Sequence, residues 1–238
     1  MLGIILPADV ESEERFGETS SGVLFPEEEK IIAHAVEARR REFATVRDCA
    51  RECLARLGYA PVPILSGVGG APVWPAGVQG SMTHCAGYAA AAVGRMPPIA
   101  AIGIDAEPDA PLPDGVLDIV TTRTERDRIA VTQLAETQRE PDSPNWDRLL
   151  FSAKEAIYKA WFPLVGEWLD HQEAEIFFDP TAQTFTALLS RDGLLVDGRQ
   201  VRRLHGRWIR QQGILVTAVV LGSRNGYRAE SFETDRAK

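Results

Sequence analysis

Residues 100–107 read Ala-Ala-Ile-Gly-Ile-Asp-Ala-Glu, and residues 146–162 read Trp-Asp-Arg-Leu-Leu-Phe-Ser-Ala-Lys-Glu-Ala-Ile-Tyr-Lys-Ala-Trp-Phe. The first alternates with a period of two. Ile102 and Ile104 leave one face, while Gly103, Asp105 and Glu107 leave the other, which is the habit of a strand. The second repeats Leu149, Leu150, Ala153, Ala156, Ile157 and Ala160 at helical spacing, with Pro163 expected to stop it. A one-sided helix beside a buried strand calls for an α+β layering.

Working outward, residues 1–6 read as a short strand and 11–26 as irregular. Pro26 opens a helix whose first turn carries Glu27, Glu28 and Glu29, where the dipole favours acids. Val36, Phe43, Val46, Ala50, Cys53 and Leu57 continue one apolar face to about residue 57, with a break expected near 38–42 and Gly58 as the closing residue. Residues 60–80 hold Pro61, Pro63, Pro72 and Pro75 among five glycines and read as loop. Residues 86–94 read as a strand packed closely on a helix, although their alanines would also permit a helix. Thr124 to Gln138 reads as helix and 140–144 as loop. Residues 174–190, 194–204 and 207–221 read as antiparallel strands, with turns at 179–182, 192–193 and 205–206. The tail from 222 is polar and expected to fray. The element order suggests two similar α/β lobes meeting near 100–105; one continuous α+β domain is the alternative.

Composition narrows the classes. The chain has 238 residues, 45% hydrophobic and 25% charged, which is enough for a sizeable core. A net charge of −8 speaks against a large nucleic-acid footprint. No apolar run approaches the ~18 residues of a membrane span, and the apolar start lacks a signal peptide's basic lead. Three cysteines, Cys49, Cys53 and Cys85, make no disulfide framework, so a cytoplasmic location is expected. A zinc site is conceivable at these thiols, but their spacing fits no common pattern and small core residues explain them better.

The chemistry gathers on the two quoted segments. Asp105 and Glu107, two apart on a strand, leave the same face and can reach one ion. Glu155 must come to them from the helix. Carboxylate oxygens suit Mg²⁺, which takes about six oxygens near ~2.1 Å and retains waters and phosphates in its shell. Lys154 and Lys159 suit those phosphates. The plainer reading of Glu155 and Lys159 is a helical ion pair of ~0.3 kcal/mol. Ser81, Thr83 and His84 form a short polar run that could hold phosphate oxygens. Arg39, Arg40, Arg41, Arg47, Arg51 and Arg56 crowd one helical region, partly balanced by acids. Arg40 and Arg47 share a face, and Arg39 lies about 80° from Arg47. Either pairing could grip a second phosphate. No P-loop, Gly-x-Ser-x-Gly or Gly-x-Gly-x-x-Gly element is present.

Trp74-Pro75, Gly80-Ser81-Met82-Thr83-His84-Cys85, Gly103-Ile104-Asp105-Ala106-Glu107 and Phe151 to Trp161 occur in an order and spacing that resembles the 4′-phosphopantetheinyl transferases. The likeness is to their larger branch, and Phe162-Pro163-Leu164 with the arginine helix extends it toward actinobacterial members. The resemblance implies a two-lobed intramolecular pseudo-dimer, lobes 1–104 and 105–238, with the active site at the seam. It implies a monomeric enzyme that moves the 4′-phosphopantetheine arm of coenzyme A onto a serine of an apo acyl or peptidyl carrier protein. Carried over to this sequence, Asp105, Glu107 and Glu155 hold Mg²⁺, with Mn²⁺ as the alternative. Lys154 and Lys159 bind phosphate oxygens, Thr83 and His84 touch the 3′-phosphoadenosine side, and Arg39 and Arg47 reach the coenzyme A phosphates. Glu155 is the base for the carrier serine, acting directly or through a metal-bound water, and Asp105, Glu155 and Lys159 form the catalytic set. Family members often carry a basic residue in the loop that is Ser66-Gly67-Val68-Gly69-Gly70 here, where backbone N–H groups can still cradle phosphate. Nucleic acid and membrane are not expected partners. Arg123, Arg126, Arg128 and Arg139 are the candidates for carrier docking. Competing readings are an idle carrier-protein or nucleotide-binding module and a different magnesium-dependent phosphotransferase.

Overall fold

The computed structural model describes residues 1–17, 22–139, 142–196 and 198–222; the polar tail from 223 lies outside them. In chain order the elements are α1 (Leu2–Ile5), β1 (Val10–Phe16), α2 (Pro26–Ile31), α3 (Glu37–Arg56), β2 (Leu65–Ser66), β3 (Pro72–Val73), β4 (Val78–Cys85), β5 (Tyr88–Arg95) and β6 (Ile99–Pro108). There follow α4 (Val116–Val120), α5 (Arg123–Arg139), α6 (Trp146–Val165), β7 (Ala174–Asp179), β8 (Thr184–Leu189), β9 (Leu195–Val196), β10 (Arg199–Gln200), β11 (Arg203–Gln211) and β12 (Ile214–Gly222). The fold is α+β. One antiparallel sheet has the order β1-β5-β4, a second β6-β12-β11-β8-β7, and β2-β3 and β9-β10 are two-stranded ribbons.

Each larger sheet carries one long helix. α3 lays Cys49, Ala50, Cys53 and Leu54 on Ala91 and Val93 of β5. The opposite face of β5, Tyr88, Ala90 and Ala92, packs with Ile102 and Ile104 of β6 and Val216 of β12. Because β5 is covered on both faces, Ala89–Ala92 are wholly buried, and only small side chains allow such close layers. α6 packs Leu149, Ala153, Ala156, Ile157 and Trp161 on the second sheet. The two cysteines of α3 are core residues, as their size suggests, and burial pushes both thiols up to about 12.

β4 and β6 run side by side without sharing a backbone ladder. The Ile104 N–H donates to Ser81 Oγ at 3.1 Å, and the Ala106 N–H donates to Thr83 Oγ1 at 3.0 Å. Side-chain hydroxyls therefore join the first sheet to the second.

The structure departs from several expectations. Residues 2–5 form a helical turn that buries Leu2 and Ile5, and the first strand is β1. β1 was concealed because its sequence, Val-Glu-Ser-Glu-Glu-Arg-Phe, is mostly charged; Arg56 pairs with Glu11 and Glu13 along it at 2.9 Å. The helix of 26–57 breaks at 32–36, earlier than expected, and Val36 is exposed. Ser81 to Cys85 lie within β4 instead of leading into a strand. α6 runs through Pro163. In the last turn the proline forfeits one i−4 bond only, and Gly166 at φ 74 closes the helix with its N–H on Phe162 O. β11 is continuous across 205–206, because Gly206 lies against the Phe185 ring, where a Cβ would come within 2.1 Å. The turn falls instead at Gln212 and Gly213, both at positive φ, as a two-residue hairpin turn requires.

Candidate active site

A cavity of about 620 Å³ opens between the two larger sheets' helices. α3 contributes Arg39, Phe43 and Arg47; β4 contributes Gly80, Met82 and His84; α6 contributes Glu155, Tyr158, Lys159 and Phe162. The loop 66–73 forms a further wall. Gly69, at φ 62, rests on Phe162; a Cβ there would sit 2.7 Å from the ring. This close approach seats the loop on α6 and explains the glycine at position 69.

α6 reaches β6 backbone to backbone. A Cβ on Gly103 would come within 1.9 Å of Ala156 O and 2.7 Å of Ala160 N. That contact lets Lys159 reach over the strand: Nζ donates to Asp105 Oδ1 at 2.7 Å and to Ile104 O at 3.1 Å. Asp105 is buried, its Oδ2 has no hydrogen-bond partner, and burial raises its carboxyl above the ordinary value against the pull of Lys159. Glu107 is also raised, by burial and by the Asp105 charge, despite a 2.9 Å ion pair with Arg148. Glu155 behaves oppositely. Burial pushes it up, but a 3.0 Å hydrogen bond with His171 Nε2 and the charges of Lys159 and His171 outweigh this and lower it. Glu155 is thus the ionised acid on the cavity wall.

The other wall is basic. Arg39 NH1 bonds His84 Nε2, and His84 Nδ1 faces Glu42 at 3.5 Å. An arginine can only donate, so Nε2 accepts and the imidazole is neutral. Burial, Arg39 and Lys159 all lower the His84 pKa, in agreement. Arg47 lines the cavity but is buried, with Nε donating to Ile64 O at 2.9 Å and its guanidinium 3.2 Å above the Phe43 ring.

Two expected ligand contacts lie elsewhere. Lys154 faces away from the cavity, because adjacent helix positions differ by about 100°. Its Nζ donates to Glu125 at 2.9 Å, His171 O at 2.6 Å and Ala174 O at 2.7 Å, which uses all three of its protons. Thr83 is buried, and its hydroxyl serves the Ala106 amide and lies 3.5 Å from Asp105. Among the described residues, no three His, Cys, Asp or Glu side chains are grouped as a metal cage. Arg126 is bound to Thr121 and Asp118, and Arg128 to Glu175 and Ile176, leaving Arg123 and Arg139 exposed.

Sequence reasoning missed Arg148 and His171. Arg148 carried a signal, since it precedes Glu155 by seven residues and so shares its helix face. His171 carried none. Tyr158 lines the cavity, while Trp161 is buried in the core, its Nε1–H donating to Glu167 O. Among the described residues, no helix is long and apolar enough to cross a membrane.

Comparison with known proteins points to one family. Residues 27–94 match the model of the 4'-phosphopantetheinyl transferase N-terminal domain, and residues 101–205 match that of the 4'-phosphopantetheinyl transferase superfamily. The chain is 48% identical over 236 residues to 4'-phosphopantetheinyl transferase Svp of Streptomyces mobaraensis, covering 98% of this chain and 94% of that one. It is 44% identical over 229 residues to 4'-phosphopantetheinyl transferase PptT of Mycobacterium tuberculosis, covering 93% and 98%. Enterobactin synthase component D of Escherichia coli (strain K12) is 36% identical over 131 residues, 54% of this chain and 58% of that one.

Proposed function

The chain belongs to the 4′-phosphopantetheinyl transferase superfamily, and on that footing we propose that it moves the 4′-phosphopantetheine arm of coenzyme A onto a serine of apo acyl or peptidyl carrier proteins. The observation that carries this reading is one cavity joining the Arg39–His84 wall to Glu155 and Lys159 on α6. Coenzyme A is long and has phosphates at separate points, so a basic wall at one end and a lysine beside acids at the other suit it. Arg39 and His84 line the 3′-phosphoadenosine end. Arg47 supports that wall from beneath, and Thr83 holds β6 and Asp105 in place. Lys159 faces the pyrophosphate, and the glycine-rich loop 66–70 offers backbone N–H groups in place of a basic side chain.

The carrier serine oxygen attacks the phosphorus of the pantetheine phosphate. The bond to the adenosine 5′-phosphate breaks, and adenosine 3′,5′-bisphosphate leaves. Glu155, ionised at neutral pH, takes the serine proton, because a hydroxyl is a weak nucleophile without a base. Lys159 neutralises charge on the phosphate oxygens, and positioning supplies much of the remaining acceleration.

The acids fit a hard cation. Asp105 Oδ2 is buried without a partner; beyond burial, the Asp105 charge raises Glu107 and the Glu155 charge raises Asp105, and every donor is oxygen. Asp105, Glu107 and Glu155 would hold Mg²⁺, with Mn²⁺ as the alternative, and the ion would supply charge neutralisation for the phosphates. The same proposal includes an intramolecular pseudo-dimer of lobes 1–104 and 105–238, acting as a cytoplasmic monomer. Incubation with coenzyme A, Mg²⁺ and a panel of apo carriers should add the arm's mass to a carrier. A panel without any mass gain would overturn the reading.

A further inference from the structure

Glu155 does not stand alone on the cavity wall. His171 opens a short turn, His171–Glu173, that Asp170 caps by accepting from the Gln172 N–H at 2.8 Å. Its imidazole stacks nearly parallel to Phe151, at 6.3 Å and 12°, with Trp168 edge-on at 6.4 Å. Beside these rings, Nε2 meets Glu155 Oε1 at 3.0 Å. The backbone of the same residue is fixed independently, since His171 O accepts the 2.6 Å bond from Lys154. Lys154 also binds Ala174 O, just beyond the turn, and Glu125, which in turn accepts the Ile176 N–H at 2.9 Å. Neighbours on α6 thus hold one turn twice: Lys154 by its backbone, Glu155 by its ring.

We propose that His171 is a positioning residue for Glu155, with Lys154 as the anchor that places it. The Nε2–H fixes Oε1, so the second carboxylate oxygen is presented to the cavity for the carrier serine. Two observations support this beyond proximity. The ring has a stacked neighbour in Phe151 and an edge-on one in Trp168, so the hydrogen bond has a set direction. Lys154 is buried and fully bonded, so its end of the turn is fixed. A glutamate side chain has several rotatable bonds to be ordered before reaction, which such a partner would order. The inference rests on the transferase reading for its consequence, and on geometry alone for the dyad.

Two measurements test it. Without metal, the imidazole ¹⁵N spectrum should show a proton on His171 Nε2, with an Nε2 resonance that moves in Glu155→Gln. An Nε2 without a proton, or a resonance indifferent to Glu155→Gln, overturns the dyad. In carrier modification, His171→Ala should lower kcat by roughly 10- to 100-fold, as losses of supporting residues do, with KM for coenzyme A unchanged. His171→Gln, whose amide nitrogen can occupy the Nε2 position, should recover most of the loss. Wild-type kcat in His171→Ala, or equal losses in the two variants, overturns the positioning role. If the wild-type protein transfers nothing, the transferase reading fails, while the spectrum still decides the dyad.

Discussion

Gly103→Ala offers the most searching test of how the site is assembled. The added Cβ meets backbone on α6, at 1.9 Å from Ala156 O, 2.7 Å from Ala160 N and 3.0 Å from the Ala156 carbonyl carbon. No side chain can rotate aside to relieve this. Ordinary contact begins at 3.4 Å, so α6 must retreat from β6 by about 1.5 Å. Lys159 and Glu155 ride on that helix, at 2.7 Å from Asp105 and on the cavity wall respectively. Both helix and strand are buried, and overpacking of this kind costs ~1–3 kcal/mol, which a domain of this size survives. The misplacement of catalytic groups by more than ~1 Å should reduce kcat by roughly 10²-fold. The assay is the rate of arm transfer to an apo carrier, beside a thermal melt. A variant that folds and transfers at the wild-type rate would refute the claim that the helix-to-strand approach sets the geometry.

The remaining predictions concern the two walls. Asp105→Asn should lower transfer by ~10²-fold or more while leaving the fold intact; a fully active variant would remove Asp105 from the mechanism. The same variant carries a pH signature: burial raises the Asp105 carboxyl, so its stabilising contribution is complete below 3.8 and declines as pH rises toward the native value. Urea midpoints in EDTA should therefore show the variant gaining on the wild type across that window, and parallel curves would count against the burial argument. Arg39→Ala should raise KM for coenzyme A by roughly tenfold, equivalent to one charge-assisted bond of ~1.4 kcal/mol, with kcat little changed; an unaltered KM would detach Arg39 from the ligand.

The parts of the fold that sequence made visible are those where one residue type repeats at one period. α6 was readable because it buries one face, and β6 because its isoleucines alternate with Gly103, Asp105 and Glu107 although both of its faces are covered; Asp105, Glu107 and Glu155 followed from them. β1 was not, because an edge strand held by backbone pairing and by Arg56 needs no apolar alternation. The two lysines of α6 look equivalent as letters. On a helix, however, position 159 lies about 40° from Glu155 and position 154 about 100° away. That difference sends Lys159 to Asp105 and Lys154 to Glu125, and only the packed position of α6 decides which side is cavity. Pro163 and Gly206 misled for a shared reason: each breaks a regular element in general, yet here one sits in a last turn and the other under an aromatic ring. His171 was invisible because its meaning comes from a turn that sequence spacing does not tie to Glu155.

The hydroxyl joint between β4 and β6 works as a key for alignment. A backbone ladder accepts any residues, and a slide by two positions restores its pattern of pairing with every side chain on the same face. Here the acceptors are oxygen atoms on Ser81 and Thr83, matched to the amides of Ile104 and Ala106. A slide of two in one direction would offer the Ala106 amide the thiol of Cys85, a weak acceptor. A slide of two in the other would offer Ile104 the amide of Gln79, whose oxygen sits on a longer arm than a hydroxyl. Single-residue slides would present Gly80, Met82 or His84, none of which bears a short oxygen. Two adjacent strand edges are thereby hidden in a single alignment that the genetic message specifies atom by atom, and the phase between His84 on one strand and Asp105 on the other is written into it.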